Sequence, residues 1–143
     1  MKATDLMIGD WVYGIDGKGG KHPCRINTID IYPQNRTPRV VTSGGYGYQE
    51  EHLEPIPLTP EILEKSGFEN ISNHTLKGCN TFRIDIEQRG YEYCITIKLK
   101  DYFRLQSFDD RWYTLCEMEF GCNYVHELQH ALRLCGIDLE IKV

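Results

Sequence analysis

The most regular hydrophobic pattern in this sequence is an alternation of apolar and polar residues over positions 82–99. Apolar side chains recur at every second position from Phe82 to Ile86 and again from Tyr91 to Leu99. A period of two is typical of strands that bury one face and expose the other. Because a polar turn separates the two runs, the pattern predicts a long antiparallel hairpin.

Three further segments extend the predicted sheet. Tyr102–Gln106 and Trp112–Glu117 are strand-like runs on either side of a polar loop. Apolar residues also alternate from Ile137 to Val143, and this spacing predicts a strand that closes the sheet.

A helical period replaces the alternation between Asn123 and Gly136. Val125 and Leu128 fall on one side of a helix, together with apolar residues one and two turns further on. Asn123 is a good N-cap, and Gly136 suits the left-handed conformation that follows a helix end. The sequence therefore predicts a C-terminal helix over residues 124–135.

Residues 1–57 have a different pattern, with short apolar runs separated by loops that contain glycine or proline. These runs predict short strands, and the I-G-D-W-V opening resembles the Src-homology-type barrels that are common in binding modules. The segment Leu53–Thr59 contains two prolines and predicts a stiff connector. Thr59, Pro60 and Gly67 then carry the cap, first-turn and end signals of a short helix.

The predicted fold class is α+β. We expect a small Src-homology-like β-barrel over residues 1–57, followed by an antiparallel sheet with two helices over residues 58–143. Within the first part, the G-G-Y-G-Y run from Gly44 to Tyr48 predicts either a bulged strand or a tight hairpin.

Composition limits the classes of partner. The chain has 143 residues and 16 Lys and Arg against 21 Asp and Glu, a net charge of −5. A negative chain without a basic stripe argues against nucleic acid as a partner. No apolar run is long enough for a signal peptide or a membrane span, so we expect a cytoplasmic protein without membrane contact. Its six cysteines are then expected to be reduced core residues.

One string resembles a catalytic motif, namely the H-E-x-x-H formed by His126, Glu127 and His130. In a zinc hydrolase the two histidines, one turn apart, bind the metal, and the glutamate is the general base. A catalytic zinc needs a third protein ligand, and no other histidine or glutamate has a spacing that marks it as one. We therefore expect no catalytic residue, metal or cofactor, with a zinc-dependent hydrolase as the alternative.

Two groups of side chains are candidates for ligand binding. The first is the polar side of the C-terminal helix, whose guanidinium, amide, imidazole and phenol groups can hydrogen-bond an anion. The second is a set of aromatic residues beside glycines in the first part. The alternatives are an ordinary solvated helix face and aromatic rings that fill a small core. The predicted ligand-binding residues are Tyr124, His126, Gln129, His130, Arg133, Tyr46, Tyr48 and Trp11.

Three strings together resemble a group of short, uncharacterised proteins of gut-bacterial phages and integrated mobile elements. They are L-M-I-G-D-W-V at Leu6–Val12, P-I-P-L-T-P-E-I-L-E-K-S-G-F at Pro55–Phe68 and Y-V-H-E-L-Q at Tyr124–Gln129. The resemblance implies a source class and no particular activity. In that group the position of His130 is often Asn, which implies that a second zinc ligand is not a shared feature.

Small accessory proteins of phages commonly act by binding, either inhibiting host proteins or sequestering small defence signals, often nucleotides, as homo-oligomers. By analogy with that class, and because no set of catalytic residues can be assembled from the sequence, we expect a non-enzymatic binding protein. Its expected partner is a small anionic ligand, nucleotides included, or a host protein.

Overall fold

The structure is a computed structural model. It describes residues 1–31, 38–72, 80–108 and 114–143, which group into two compact units. The first unit comprises Met1–Pro57, Tyr124–His130 and Val143, and the second comprises Leu58–Asn123 and Ala131–Lys142. The prediction assigned the whole C-terminal helix to the second part, whereas its first half groups with residues 1–57.

The first unit contains an antiparallel sheet. Its strands are β1 (Trp11–Ile15), β2 (Lys21–Ile31), β3 (Pro38–Thr42), β4 (Gly47–Gln49) and β5 (Leu53–Pro55). Their order is β4-β3-β2-β1-β5, and a short 3-10 helix precedes β5 at Glu50–His52. The two described edges, β4 and β5, are not hydrogen-bonded to each other, so no closed barrel is seen among the described strands.

Every strand of this sheet contributes to the core of the first unit. Val12, Ile26 and Val40 are fully buried, and Tyr48 and Leu53 join them from β4 and β5. Complete burial of such an apolar side chain contributes about 1.5–3 kcal/mol. The short strands therefore hold together through this shared core, as well as through their hydrogen bonds.

The G-G-Y-G-Y run forms the tight hairpin between β3 and β4, one of the two structures that the sequence predicted. The Gly45 N–H donates to the Thr42 carbonyl at 2.8 Å, and the Thr42 N–H donates to the Tyr46 carbonyl at 2.9 Å. Gly45 has a φ of 76°, which favours glycine at this turn. The turn places Tyr46 just before β4.

The second unit is built on another antiparallel sheet. Its strands are β6 (Glu69–Asn70), β7 (Thr81–Gln88), β8 (Tyr91–Lys98), β9 (Tyr102–Phe108) and β10 (Thr114–Phe120), in the order β10-β9-β8-β7-β6. With the helices α1 (Pro60–Lys65) and α2 (Val125–Leu134), the predicted α+β class with antiparallel sheets and two helices is confirmed for the described residues.

The predicted long hairpin is confirmed as β7 and β8. Phe82 pairs with Ile97, and both side chains are fully buried, so the apolar positions share one face as the alternation predicted. Arg89 and Gly90 connect the strands with φ values of 55° and 79°. Two central residues with positive φ are the requirement of a type I′ turn, which matches the twist of the flanking strands.

The predicted short helix is also confirmed, as α1. The Thr59 hydroxyl accepts a hydrogen bond from the Ile62 N–H at 3.4 Å, and Pro60 occupies the first helical position. Gly67, with a φ of 95°, ends the helix, and the Phe68 N–H donates to the Leu63 carbonyl at 3.0 Å. Local capping signals therefore set both ends of this helix.

The C-terminal helix α2 begins at Val125, one residue later than predicted. Glu127 accepts a hydrogen bond from the Tyr124 N–H at 3.1 Å, which is the carboxylate half of a capping box. At the other end Gly136 has the predicted left-handed conformation, with a φ of 68°. The Ile137 N–H donates to the Leu132 carbonyl at 2.8 Å, as in a Schellman motif.

The predicted closing strand at Ile137–Val143 is wrong, because these residues form no strand. Side chains, instead of a neighbouring strand, bind the backbone of this segment. The Asp138 N–H donates to Gln88 Oε1 at 2.9 Å, and the Lys142 N–H donates to Ser66 Oγ at 3.0 Å. Alternate apolar residues are still buried, which explains why the pattern resembled that of a strand.

Three of the described cysteines lie where core residues were predicted. Cys24, Cys94 and Cys122 are buried, whereas Cys135 is half-buried. Cys79 lies outside the described residues. In the part of the chain that the structure describes, no helix combines the length and the apolar character needed to cross a membrane.

Candidate functional site

A cleft of about 1130 Å³ opens in the first unit. Its walls come from the β1–β2 turn, the start of β3, strand β4 and the 3-10 helix before β5. The lining residues are Ile15, Asp16, Gly17, His22, Pro38, Arg39, Tyr46, Gly47, Tyr48, Gln49 and His52. Two residues of the predicted site, Tyr46 and Tyr48, therefore lie in one cleft with side chains that the sequence analysis did not single out.

The inner wall of the cleft is a tyrosine–histidine pair that lies over a glycine. The Tyr48 hydroxyl is 2.7 Å from His22 Nε2, and the two rings are tilted at 55°. A Cβ on Gly14 would lie 2.7 Å from Tyr48 Cζ, so only glycine leaves room for the ring here. Burial raises the pKa of the Tyr48 phenol, and nearby Cys24 raises it further. The phenol thus stays protonated and acts as a hydrogen-bonding group.

The guanidinium of Arg39 lies over Gly47, a glycine that lines the cleft. A methyl group at Gly47 would overlap the Arg39 side chain, which therefore crosses the strand at that position. Arg39 is exposed, and no hydrogen bond or ion pair joins it to any of the described residues. Beside it, Tyr46 is 67% exposed and packs against Gly44, so much of its ring remains open. The cleft thus presents a cation next to an aromatic ring.

A carboxylate marks another wall of the cleft. Asp16 Oδ1 accepts hydrogen bonds from the Lys18 and Gly20 N–H groups, at 2.9 and 2.8 Å. These two bonds, first that from Gly20, lower the pKa of the exposed Asp16 carboxyl, because they stabilise its charged form. The cleft therefore contains one ionised group of each sign, Asp16 and Arg39.

The polar side of α2 is not a solvated surface, because His126 and Gln129 are buried. Gln129 Oε1 accepts from the Trp11 N–H at 2.9 Å, and Gln129 Nε2 donates to the Gly9 carbonyl at 3.1 Å. Both ends of the amide are thus used to attach the helix to the backbone before β1. The expectation that this side faces solvent is wrong for these two residues, because the first unit has backbone groups that require partners.

Asp10 is the residue at this contact that the sequence analysis missed. Its side chain is fully buried, and Oδ2 lies 2.6 Å from His130 Nε2 and accepts from the Met7 N–H at 2.7 Å. A buried carboxylate requires such partners. The signal in the sequence is the aspartate within I-G-D-W-V, a charged residue placed between an apolar turn and an apolar strand.

His126 is the most constrained titratable group of α2. The His126 ring stacks on the Tyr124 ring with 5.9 Å between the ring centroids, and it meets the His130 ring edge-on with 5.7 Å between the centroids. Its buried Nδ1 has no hydrogen-bond partner in the described structure. Burial lowers the pKa of His126, and the carboxylates of Glu127 and Asp10 offset only part of this effect. His126 is therefore held neutral.

Each of the three named residues of the H-E-x-x-H string makes a contact within the fold. Glu127 caps the helix, His130 contacts Asp10, and His126 is packed between rings. Within the described residues, no group of three or more His, Cys, Asp or Glu side chains has an arrangement that could hold a metal ion.

The structure keeps the two predicted groups of side chains apart. Tyr46 and Tyr48 line the cleft, whereas no residue of α2 contributes to the described lining. Trp11 is half-buried on β1 and meets the helix through its backbone. Tyr124, just before α2, and Arg133, in its last turn, are exposed. The polar side of α2 therefore forms no part of the described lining.

We expect the free energy of unfolding to decrease as the pH is lowered below 6.5, the ordinary pKa of histidine. The reason is that the buried His126 takes up a proton less readily in the folded chain than in the unfolded chain. Above that pH both states leave His126 neutral, so this effect vanishes. Below it, the free energy of unfolding falls by up to about 1.4 kcal/mol per pH unit until the lowered folded pKa is reached.

Urea unfolding at a series of pH values measures this effect. The His126→Leu variant should have a shallower decline on acidification than the parent, whereas a substitution of the exposed His52 by Gln should keep the parental decline. An equal decline in His126→Leu and the parent would contradict the assignment to His126.

Comparisons with known proteins add no family to this picture. No protein-family model, no curated protein and no solved structure matches the chain.

Proposed function

We propose that the protein is a non-enzymatic binding protein that holds a small anionic ligand in the cleft of its first unit. The observation that carries the proposal is Arg39, an exposed guanidinium laid across Gly47 without a partner among the described residues. A planar guanidinium binds a phosphate or carboxylate through two parallel hydrogen bonds.

The remaining groups of the cleft suit binding better than catalysis. Tyr46 offers an open ring face for a planar group, and the Tyr48–His22 pair supplies hydrogen bonds at the inner wall. The described lining contains no Ser, Thr, Cys or Lys that could act as a nucleophile. At about 1130 Å³ the cleft lies near the upper end of small-molecule sites, which span about 300–1,000 Å³.

We also propose that the first unit is a small barrel of the Src-homology type, as the sequence predicted. The order β4-β3-β2-β1-β5, with a 3-10 helix directly before β5, supports this arrangement. In such a barrel, the two ends of this order approach each other, with β4 on one side and β5 and its neighbour β1 on the other. The packing of Tyr48 from β4 over Gly14 of β1 is consistent with that approach.

The test is titration of the ¹⁵N-labelled protein, followed by NMR, with pyrophosphate, citrate, ribose 5-phosphate and the ribonucleoside monophosphates. We expect at least one anion to shift the amide signals of Gly47 and Tyr48, and Arg39→Gln to weaken its binding at least about tenfold, the usual effect of losing a charged hydrogen bond. Arg25→Gln removes an exposed arginine of β2 outside the cleft and is the matched control.

Binding that is unchanged in Arg39→Gln, or no shift with any anion of the series at millimolar concentration, would refute the proposal. Capture of a host protein through the same cleft, without anion binding, would favour the other partner that the sequence analysis left open.

A further inference from the structure

Asp16 leaves one carboxylate oxygen for a ligand. Oδ1 accepts the two backbone hydrogen bonds of the β1–β2 turn, from Lys18 and Gly20. Oδ2 accepts no hydrogen bond from any described residue. It lies beside Gly20, where a Cβ would be 2.7 Å away, and the exposed side chain lines the cleft. Because the turn holds Oδ1, the direction of Oδ2 is fixed as well. The cleft therefore contains a positioned hydrogen-bond acceptor.

The two charges of the cleft lie toward opposite ends of one tyrosine side chain. Tyr48 extends from β4, where its neighbour Gly47 supports the guanidinium of Arg39. Its hydroxyl end lies over Gly14, only two residues before Asp16. A ligand anion is attracted to Arg39 and repelled by Asp16, so the electrostatics orient any bound molecule along the ring. Its anionic group lies at Arg39, and the group near Asp16 must donate a hydrogen bond.

A planar group fits between these ends. Tyr46 is 67% exposed and packs with one side against Gly44, which leaves ring surface for stacking. Stacking of a nucleobase on an aromatic side chain contributes about 1–3 kcal/mol per base. The cleft thus offers three groups to a ligand: the cation Arg39 for an anion, the ring of Tyr46 for stacking, and the carboxylate of Asp16 as a hydrogen-bond acceptor.

We propose that the cleft binds a nucleotide whose base carries an amino group, with the phosphate on Arg39, the base on Tyr46 and the amino group donating to Asp16 Oδ2. This inference rests on the proposed function and names its ligand class. Cytosine and adenine present an amino group, whereas uracil and hypoxanthine present an oxygen at the same position. An ionised carboxylate accepts a hydrogen bond from the amino bases and repels the carbonyl oxygen of the others.

The pair CMP and UMP tests the inference, since the two bases differ only at C4, an amino group against an oxygen, and at the adjacent N3, which carries a proton only in uracil. We expect the parent protein to bind CMP at least about tenfold more tightly than UMP, because an unpaired or repelled polar group is costly in a binding site. AMP against IMP repeats the comparison with a purine. Dissociation constants come from calorimetry or from the NMR titration.

The informative variant is Asp16→Asn. Its Oδ1 can still accept the two backbone bonds of the turn, so the loop is preserved, but the outward atom becomes a donor. We expect the preference to reverse, with UMP binding more tightly than CMP. Asp5→Asn, an exposed substitution in the same unit outside the cleft, should keep the parental preference.

The outcomes separate this inference from the proposed function. If pyrophosphate or ribose 5-phosphate binds through Arg39 but CMP and UMP bind equally, the inference is wrong and the proposed function stands. CMP and UMP would also bind equally if Asp16 contacted the ribose instead of the base. A preference for CMP that persists in Asp16→Asn would overturn the role of Asp16. If no anion binds, both proposals fail.

Discussion

Replacement of Asp10 by Ala is expected to lower the free energy of unfolding by about 3 kcal/mol, because buried partners lose a charged acceptor. The carboxylate is fully buried and is bonded to His130 Nε2 and to the Met7 N–H. Without it, the imidazole of His130 loses this carboxylate partner, and the Met7 N–H loses its side-chain acceptor.

Urea unfolding followed by circular dichroism measures the change. Asp5→Ala, which removes an exposed carboxylate of the same unit, is the matched control and should change stability by less than about 0.5 kcal/mol. A second variant, Asp10→Asn, keeps an acceptor for the Met7 N–H and should recover part of the loss. A change in Asp10→Ala as small as that in Asp5→Ala would contradict the importance of this contact.

Replacement of Gly14 by Ala is expected to cost about 2 kcal/mol of stability and to weaken ligand binding in the cleft, since added core volume displaces a buried ring. The new methyl group would lie 2.7 Å from Cζ and 3.0 Å from the hydroxyl of Tyr48. The ring must move, and its hydrogen bond with His22 is then lost.

Gly47→Ala is the matched comparison, because it adds the same methyl group to the same cleft. Its overlap is with the far end of Arg39, a flexible side chain that can swing away, so stability should change by less than about 1 kcal/mol. Anion binding should nevertheless weaken as in Arg39→Gln. Similar stability losses in both variants would show that the Tyr48 ring is not the more rigid neighbour.

The parts of the fold that follow from neighbouring residues were predictable from the sequence. The β7–β8 hairpin was predicted because its alternation and its two-residue turn lie within one short stretch. Both ends of α1 follow from single residues, Thr59 and Gly67, whose conformational preferences are strong. Such signals do not depend on where the rest of the chain lies.

The failures have a common physical origin in contacts between distant residues. Ile137–Val143 alternates like a strand, yet the side chains of Gln88 and Ser66 bind its backbone. The polar side of α2 was predicted to bind a ligand, with a solvated face as the alternative, because amphipathicity does not reveal that the backbone of Gly9 and Trp11 binds the amide of Gln129. The periodicity of a sequence indicates which face of an element is polar, but it does not indicate which distant groups that face will hydrogen-bond.

The candidate site was predicted only through its aromatic members. Tyr46 and Tyr48 stand out because they alternate with glycines, a combination that leaves rings accessible. Asp16 and Arg39 carry no such mark, since one charged residue in a turn and another on a strand are typical of any solvated surface. Their common cleft becomes visible only when the sheet brings β4 to the β1–β2 turn.

The assignment of residues 124–130 to the first unit has a consequence for synthesis on the ribosome. The hydrogen bonds of Gln129 and His130 to the segment before β1 join residues 118 to 120 positions apart. A nascent chain that has emerged only as far as β10 therefore still has Asp10 exposed to water. Contacts of such long sequence separation form slowly. The segment before β1 therefore reaches its final surroundings only after residues 124–130 have been synthesised.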